Sequence, residues 1–135
     1  MTDKELLSLA VNAMKKSYSP YSNCKVGAAL LCKNGKVFTG TNIENASFSP
    51  TVCAERVAVF KAVSEGETEF SGIAVVGGKD GKINGIFAPC GVCRQVLREF
   101  CDDDFSIILG ESENEFKKVT LKELLPLSFS PDNVR

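Results

Sequence analysis

The stretch Lys25-Val26-Gly27-Ala28-Ala29-Leu30-Leu31-Cys32, Lys33-Asn34-Gly35-Lys36, Val37-Phe38-Thr39-Gly40 orders the rest of the chain. Its first run is largely apolar. Asn-Gly tolerates the positive φ angles of a tight primed turn, so the stretch reads as an antiparallel β-hairpin. The second strand runs out into Thr41-Asn42-Ile43-Glu44-Asn45, a polar end. Upstream, Thr2-Asp3-Lys4-Glu5 is a capping-box pattern, and Leu6, Leu7, Ala10, Ala13 and Met14 recur near helical spacing. A first helix to about Lys16 is expected, broken by Ser19-Pro20-Tyr21-Ser22.

Downstream, Val52 to Glu65 carries apolar residues nearly all round a helix, which predicts a central, buried element with Gly66 as its stop. Gly72 to Gly77 reads as a short buried strand and Asp80-Gly81 as a turn. A third helix is expected from about Gly91 to Cys101, and a strand at Phe105 to Leu109. Glu115 to Val119 is only faintly strand-like. Thr120-Leu121-Lys122-Glu123 caps a short last helix that Pro126 ends. Strands separated by helices imply crossovers and parallel neighbours, while the first pair is antiparallel. The reading is one α/β domain over residues 1–135: a mixed β-sheet, antiparallel hairpin plus parallel strands, covered by helices.

Sixteen basic and seventeen acidic residues leave a net charge of −1. That balance supplies no footprint for a polyanion, so nucleic acid is not the expected partner and a small or neutral ligand fits better. No apolar run approaches a membrane span, and the polar start does not read as a secretory signal. The six cysteines are therefore expected to stay reduced in a cytosol-like, cytoplasmic setting. There is no histidine. That excludes a Ser-His-Asp triad, a Cys-His pair and any histidine metal site.

Three cysteines stand where chemistry is possible. Cys53 opens the apolar helix, and Cys90 and Cys93 open the third as Pro89-Cys90-Gly91-Val92-Cys93. Cys-x-x-Cys puts two sulfurs on one side of a helical turn, close enough to chelate one ion. Both helices present N-termini, where the dipole favours thiolate. A redox pair, two packed thiols or a closed structural zinc knuckle remain open on spacing alone. A knuckle needs a fourth ligand from Cys24, Cys32, Cys101 or a carboxylate; three ligands plus water is the catalytic arrangement. Glu55 stands two residues after Cys53. At a helix N-terminus both can face an ion beyond the end, and a carboxyl there can move a proton of a bound water. The plainer reading is a first-turn glutamate favoured by the dipole, but burying it unpaired in an apolar helix is costly.

Cys53-Ala54-Glu55-Arg56 followed by Pro89-Cys90-Gly91-Val92-Cys93-Arg94-Gln95 resembles the three-cysteine zinc deaminase signature. With Tyr18-Ser19-Pro20-Tyr21-Ser22, Thr41-Asn42-Ile43-Glu44-Asn45 and Glu123-Leu124-Leu125-Pro126, the chain is similar to the small homotetrameric cytidine deaminases over nearly its whole length. The resemblance implies one zinc per subunit on Cys53, Cys90 and Cys93, with activated water attacking C4 of cytosine. Glu55 would take the water proton, protonate N3 and help ammonia leave. Asn42 and Glu44 would hold the ribose, the Ala54 backbone would read the pyrimidine edge, and sites would lie near subunit interfaces in a homotetramer serving pyrimidine salvage.

Three thiolates on Zn²⁺ leave a net charge of −1, which Arg56, Arg94 and the helix N-termini would offset; the resemblance puts Arg56 against the thiolates. Asn42 and Glu44 alternate along the outgoing strand, so they should share a side. Phe129 matches a ring that reaches a neighbouring subunit's site, or else anchors the tail in its own core. Cys24 stands where the family commonly has a phenylalanine near the pyrimidine, and Phe48-Ser49-Pro50 also departs from the family pattern. Three rival readings follow: a deaminase of another aminopyrimidine such as a blasticidin-type nucleoside, a non-catalytic zinc-stabilised module, and a thiol redox protein using Cys90 and Cys93.

Overall fold

The hairpin forms as β1, Cys24–Cys32, and β2, Val37–Thr41, with Ala29 opposite Thr39 and Leu31 opposite Val37. The turn differs from the primed form expected. Only Gly35 has positive φ, at 93°, while Lys33 and Asn34 stay in the ordinary region. The Gly35 N–H donates to the Cys32 carbonyl at 3.0 Å and the Cys32 N–H to the Lys36 carbonyl at 2.8 Å. That is the three-residue loop with one left-handed glycine, which spares Lys33 and Asn34 a conformation that crowds a Cβ.

The computed structural model describes residues 1–135. Two further strands, β3 at Phe70–Lys79 and β4 at Ser106–Gly110, lie beyond β1, and β5 at Phe116–Thr120 forms the far edge. The faint pattern before Thr120 is thus a true strand. The order is β2-β1-β3-β4-β5. β1 is antiparallel to both β2 and β3, β3 and β4 are parallel, and β4 and β5 are antiparallel. The expectation that each crossover yields parallel neighbours holds only for β3 and β4. The crossover leaving β2 passes over β1, so the two strands it joins are parallel but not adjacent.

Four α-helices complete the fold: α1 at Asp3–Met14, α2 at Ala54–Ser64, α3 at Gly91–Phe100 and α4 at Leu121–Leu124. Thr2 and Glu5 close the expected capping box at α1, and Thr120 and Glu123 close a second at α4. Gly66, at φ 91°, stands just past the end of α2 as expected. Alternation along the strands divides the core. Ala28, Leu30, Ile73, Val75 and Ile107 face α2 and α3, where they meet Ala58, Val59, Ala62 and Leu97. Ala29, Ala74, Val76 and Ile108 face α1, against Leu6, Leu7, Ala10 and Met14. The result is three layers, with the helices that carry Glu55 and Cys93 on one side.

Two glycines let the helices approach. A Cβ on Gly27 would stand 2.0 Å from the Ala10 carbonyl oxygen of α1. A Cβ on Gly40 would stand 2.3 Å from the Ala54 carbonyl oxygen and 2.6 Å from the Ala58 nitrogen of α2. Gly40 thus fixes the height of the first turn of α2 above the sheet. That helix is not buried all round, contrary to the sequence expectation. Ala54, Glu55, Ala58, Val59 and Ala62 are buried, but Phe60 is 50% exposed. No helix is long and apolar enough to cross a membrane.

Candidate active site

Cys53 and Cys90 are the N-cap residues of α2 and α3, both with extended backbone and neither making a side-chain capping bond. The first N–H groups of each helix therefore remain without helical partners at the end where the sulfurs lie. Cys93, one turn into α3, is fully buried. The Sγ separations are 3.7 Å for Cys53–Cys90 and 3.6 Å for Cys90–Cys93, and all three sulfurs lie within 4.8 Å of one another. Two thiolates each about 2.3 Å from one tetrahedral zinc would be about 3.8 Å apart. The donor set fits that ion: three soft sulfurs at the right spacing and no fourth His, Cys, Asp or Glu in the cluster. All six cysteines are free thiols.

The charge pattern around the sulfurs is uneven. The neighbouring Cys93 thiol and Arg56 hold Cys53 down at about 5, while sharing with Cys53 and burial push Cys93 well up. The Arg56 Nη2 donates to Cys53 Sγ at 3.3 Å. This is the contact the resemblance implies for Arg56. Arg94 behaves differently. Its Nε donates to the Pro89 carbonyl at 2.8 Å and its Nη1 to the Leu124 carbonyl at 2.7 Å, so those donors serve main chain and not thiolate.

Glu55 is 3% exposed, and its Oε1 has no hydrogen-bond partner. Burial pushes its carboxyl up to about 7, and the negative charge of Cys53 adds to the rise. A buried orphan carboxylate oxygen is costly unless something outside the protein meets it. Ala54, beside it, is fully buried in the first turn.

Asn42 and Glu44 lie just past the end of β2. They do share a side, as alternation predicts, with Ile43 exposed between them. Asn42 faces the start of β1, and Glu44 faces the segment before it. The Asn42 Oδ1 accepts from the Val26 N–H at 2.9 Å and from the Ser17 hydroxyl, and its Nδ2 donates to the Cys24 carbonyl at 2.7 Å. The Glu44 Oε1 accepts from the Tyr21 and Ser22 N–H groups at 2.9 and 3.1 Å, and Oε2 accepts from the Ser22 hydroxyl. The Ser22 hydroxyl holds its carboxyl below the usual range, aided by the two N–H groups. Cys24 is half-buried at the start of β1, its N–H bonded to Ser22 Oγ at 3.0 Å.

Phe129 is 62% exposed, which excludes the reading of a ring anchored in its own core. Only its carbonyl is held, by Gln95 Nε2 at 2.9 Å. Sequence reading passed over Ser17 and quoted Ser22 only as part of a motif, with no role for either. Their only sequence signal was polarity in or beside a quoted motif, since their partners are 25 and 22 residues away in the chain.

Residues 1–109 match the family described as the cytidine and deoxycytidylate deaminase zinc-binding region. The chain is 43% identical over 134 residues to a cytidine deaminase of Halalkalibacterium halodurans, covering 99% of this chain and 98% of that protein. It is 40% identical to a cytidine deaminase of Sporosarcina psychrophila, covering 99% and 96% respectively. The crystal structure of cytidine deaminase from Burkholderia pseudomallei superposes with a TM-score of 0.87 at 44% identity, over 96% of this chain and 100% of that one. Matching motifs, matching fold and a zinc-spaced sulfur triad agree: the chain belongs to the zinc-dependent cytidine deaminases.

Proposed function

We propose that this enzyme hydrolyses cytidine and deoxycytidine to uridine and deoxyuridine with release of ammonia, using one zinc per subunit held by Cys53, Cys90 and Cys93. One observation carries the catalytic reading. A carboxyl that is 3% exposed, with an unpartnered Oε1, stands two residues from the sulfur triad. When bound, the metal supplies Lewis-acid activation of a water molecule.

The chain supplies proton handling and positioning. Glu55 accepts a proton at Oε1, delivers it to N3 of the pyrimidine, and then assists the 4-amino group to leave as ammonia. Atoms balance as nucleoside plus water giving keto product plus ammonia. A carboxyl near pH 7 in its protonation midpoint can both take and return that proton. The Ala54 main chain reads the pyrimidine edge, and Asn42 and Glu44 hold the ribose hydroxyls. Arg56 offsets the thiolate charge through its bond to Cys53. Residues 1–135 act as one domain. Four copies assemble with sites near their interfaces, where Phe129 of one copy reaches the site of another. The setting is pyrimidine salvage in the cytoplasm.

The test is ammonia release from cytidine by wild type and Glu55→Gln, with zinc content measured on both. Removal of a general acid–base group should lower kcat roughly 10²–10⁴-fold while zinc is retained. Normal turnover by Glu55→Gln would overturn the mechanism. Zinc in the wild type without turnover of any cytosine nucleoside would favour a non-catalytic module.

A further inference from the structure

The exposed ligand Cys90 sits at the end of a segment with almost no hydrogen bonds. Ile86, Phe87 and Ala88 make no hydrogen bond, and Pro89 makes one, its carbonyl accepting from Arg94 Nε at 2.8 Å. Ile86 and Phe87 are 43% and 37% exposed, and the Phe87 ring lies over Gly77 of β3, so the start of the segment is held by partial packing alone. Pro89 itself is fully buried. The Arg94 bond is the only polar contact on the Pro89 carbonyl, so it sets how this peptide is turned and with it the direction in which Cys90 leaves. The other arm of Arg94 is fixed independently, Nη1 donating to the Leu124 carbonyl at the end of α4 at 2.7 Å. No carboxylate pairs with Arg94.

We propose that Arg94 is a positioning residue for the metal, a two-ended clamp that pins the Pro89 carbonyl to α4 and so aims the Cys90 sulfur. A guanidinium suits this because its planar fork can serve two carbonyls at once, which a lysine amine on a flexible stem does not. Residues that orient a metal ligand from behind typically affect metal affinity 10–100-fold. The inference rests on Cys90 being a zinc ligand.

The experiment measures the rate of zinc release from the purified, zinc-loaded protein to an excess of a chromophoric chelator. Arg94→Gln should release zinc roughly 10- to 100-fold faster than wild type. Arg94→Lys, which keeps the charge and loses the fork, should also release it at least about tenfold faster. Gln95→Ala, which cuts the neighbouring tie to Phe129, should release it at the wild-type rate. Wild-type release by Arg94→Gln overturns the proposal. So does wild-type release by Arg94→Lys, which would make the role one of charge. So does fast release by Gln95→Ala, which would mean that α3 is merely loosened. If Arg94→Gln fails to fold, Arg94→Lys decides alone by the same two outcomes. Cys90→Ala separates the layers: full zinc content in that variant would sink the ligand assignment, whatever Arg94 does.

Discussion

Glu44 spends both carboxylate oxygens on Tyr21 and Ser22, and this bears on its proposed role of holding the ribose. A flexible glutamate would lose rotamer freedom on meeting a sugar; one already held in place loses less. Ser22 is the only side chain in that hold. Ser22→Ala should therefore raise KM for cytidine roughly two- to tenfold with kcat little changed. Glu44→Ala should raise it by about tenfold or more, and should affect free cytosine far less. Steady-state kinetics with both substrates checks this, and equal effects on cytosine would count against a ribose role. At this scale the sequence is readable where chemistry is local. Cys53 with Glu55, and Cys90 with Cys93, stand at helix starts, and spacing alone brings each pair together. Asn42 and Ser17 are 25 residues apart, and their bond depends on how a loop returns to the sheet edge. Nothing in the structure explains why a cysteine stands at position 24.

A helix is placed by its backbone as much as by its stripe, and α2 shows how. Its inner face is mostly alanine, with Ala54, Ala58 and Ala62 buried, and Gly40 beneath the first turn. Small residues on both sides bring the helix low over β2. The sequence signalled the helix through its apolar residues but not its height, because close approach is a property of two segments together. Gly40→Ala should lift the turn that carries Cys53 and Glu55. We expect a loss of about 1–3 kcal/mol in urea unfolding, with kcat also reduced. Gly27→Ala presses on α1, on the opposite face of the sheet, and should cost a similar amount of stability with a smaller effect on kcat in the fraction that remains folded. Equal kcat losses in both variants would argue that general loosening, and not the seat of α2, governs the site. The missed topology has a similar origin: a crossover fixes the direction of the strands it joins, but not which strand lies between them.

Apolarity all round α2 was legible in the sequence, and in the proposed tetramer its cause lies outside one chain. Phe60 is 50% exposed on α2, and Val92 is 57% exposed on α3, between two of the sulfur ligands. Val96 and Phe100 border the same surface, so the two site-bearing helices share an apolar outer face. A helix with a core face and a second face covered by another molecule reads as apolar on all sides. In the proposed tetramer that molecule is another copy of the chain. Assembly and activity are then linked, because the covered helices start at Cys53 and Cys90. A charge at position 60 should break this contact, since burying a phenylalanine contributes about 1.5–3 kcal/mol and burying an unpaired carboxylate is strongly unfavourable. Phe60→Glu is expected to elute as a smaller species by light scattering, and to lose kcat/KM in proportion to the dissociated fraction as protein is diluted. A tetramer of wild-type activity from Phe60→Glu would show that this face stays in solvent.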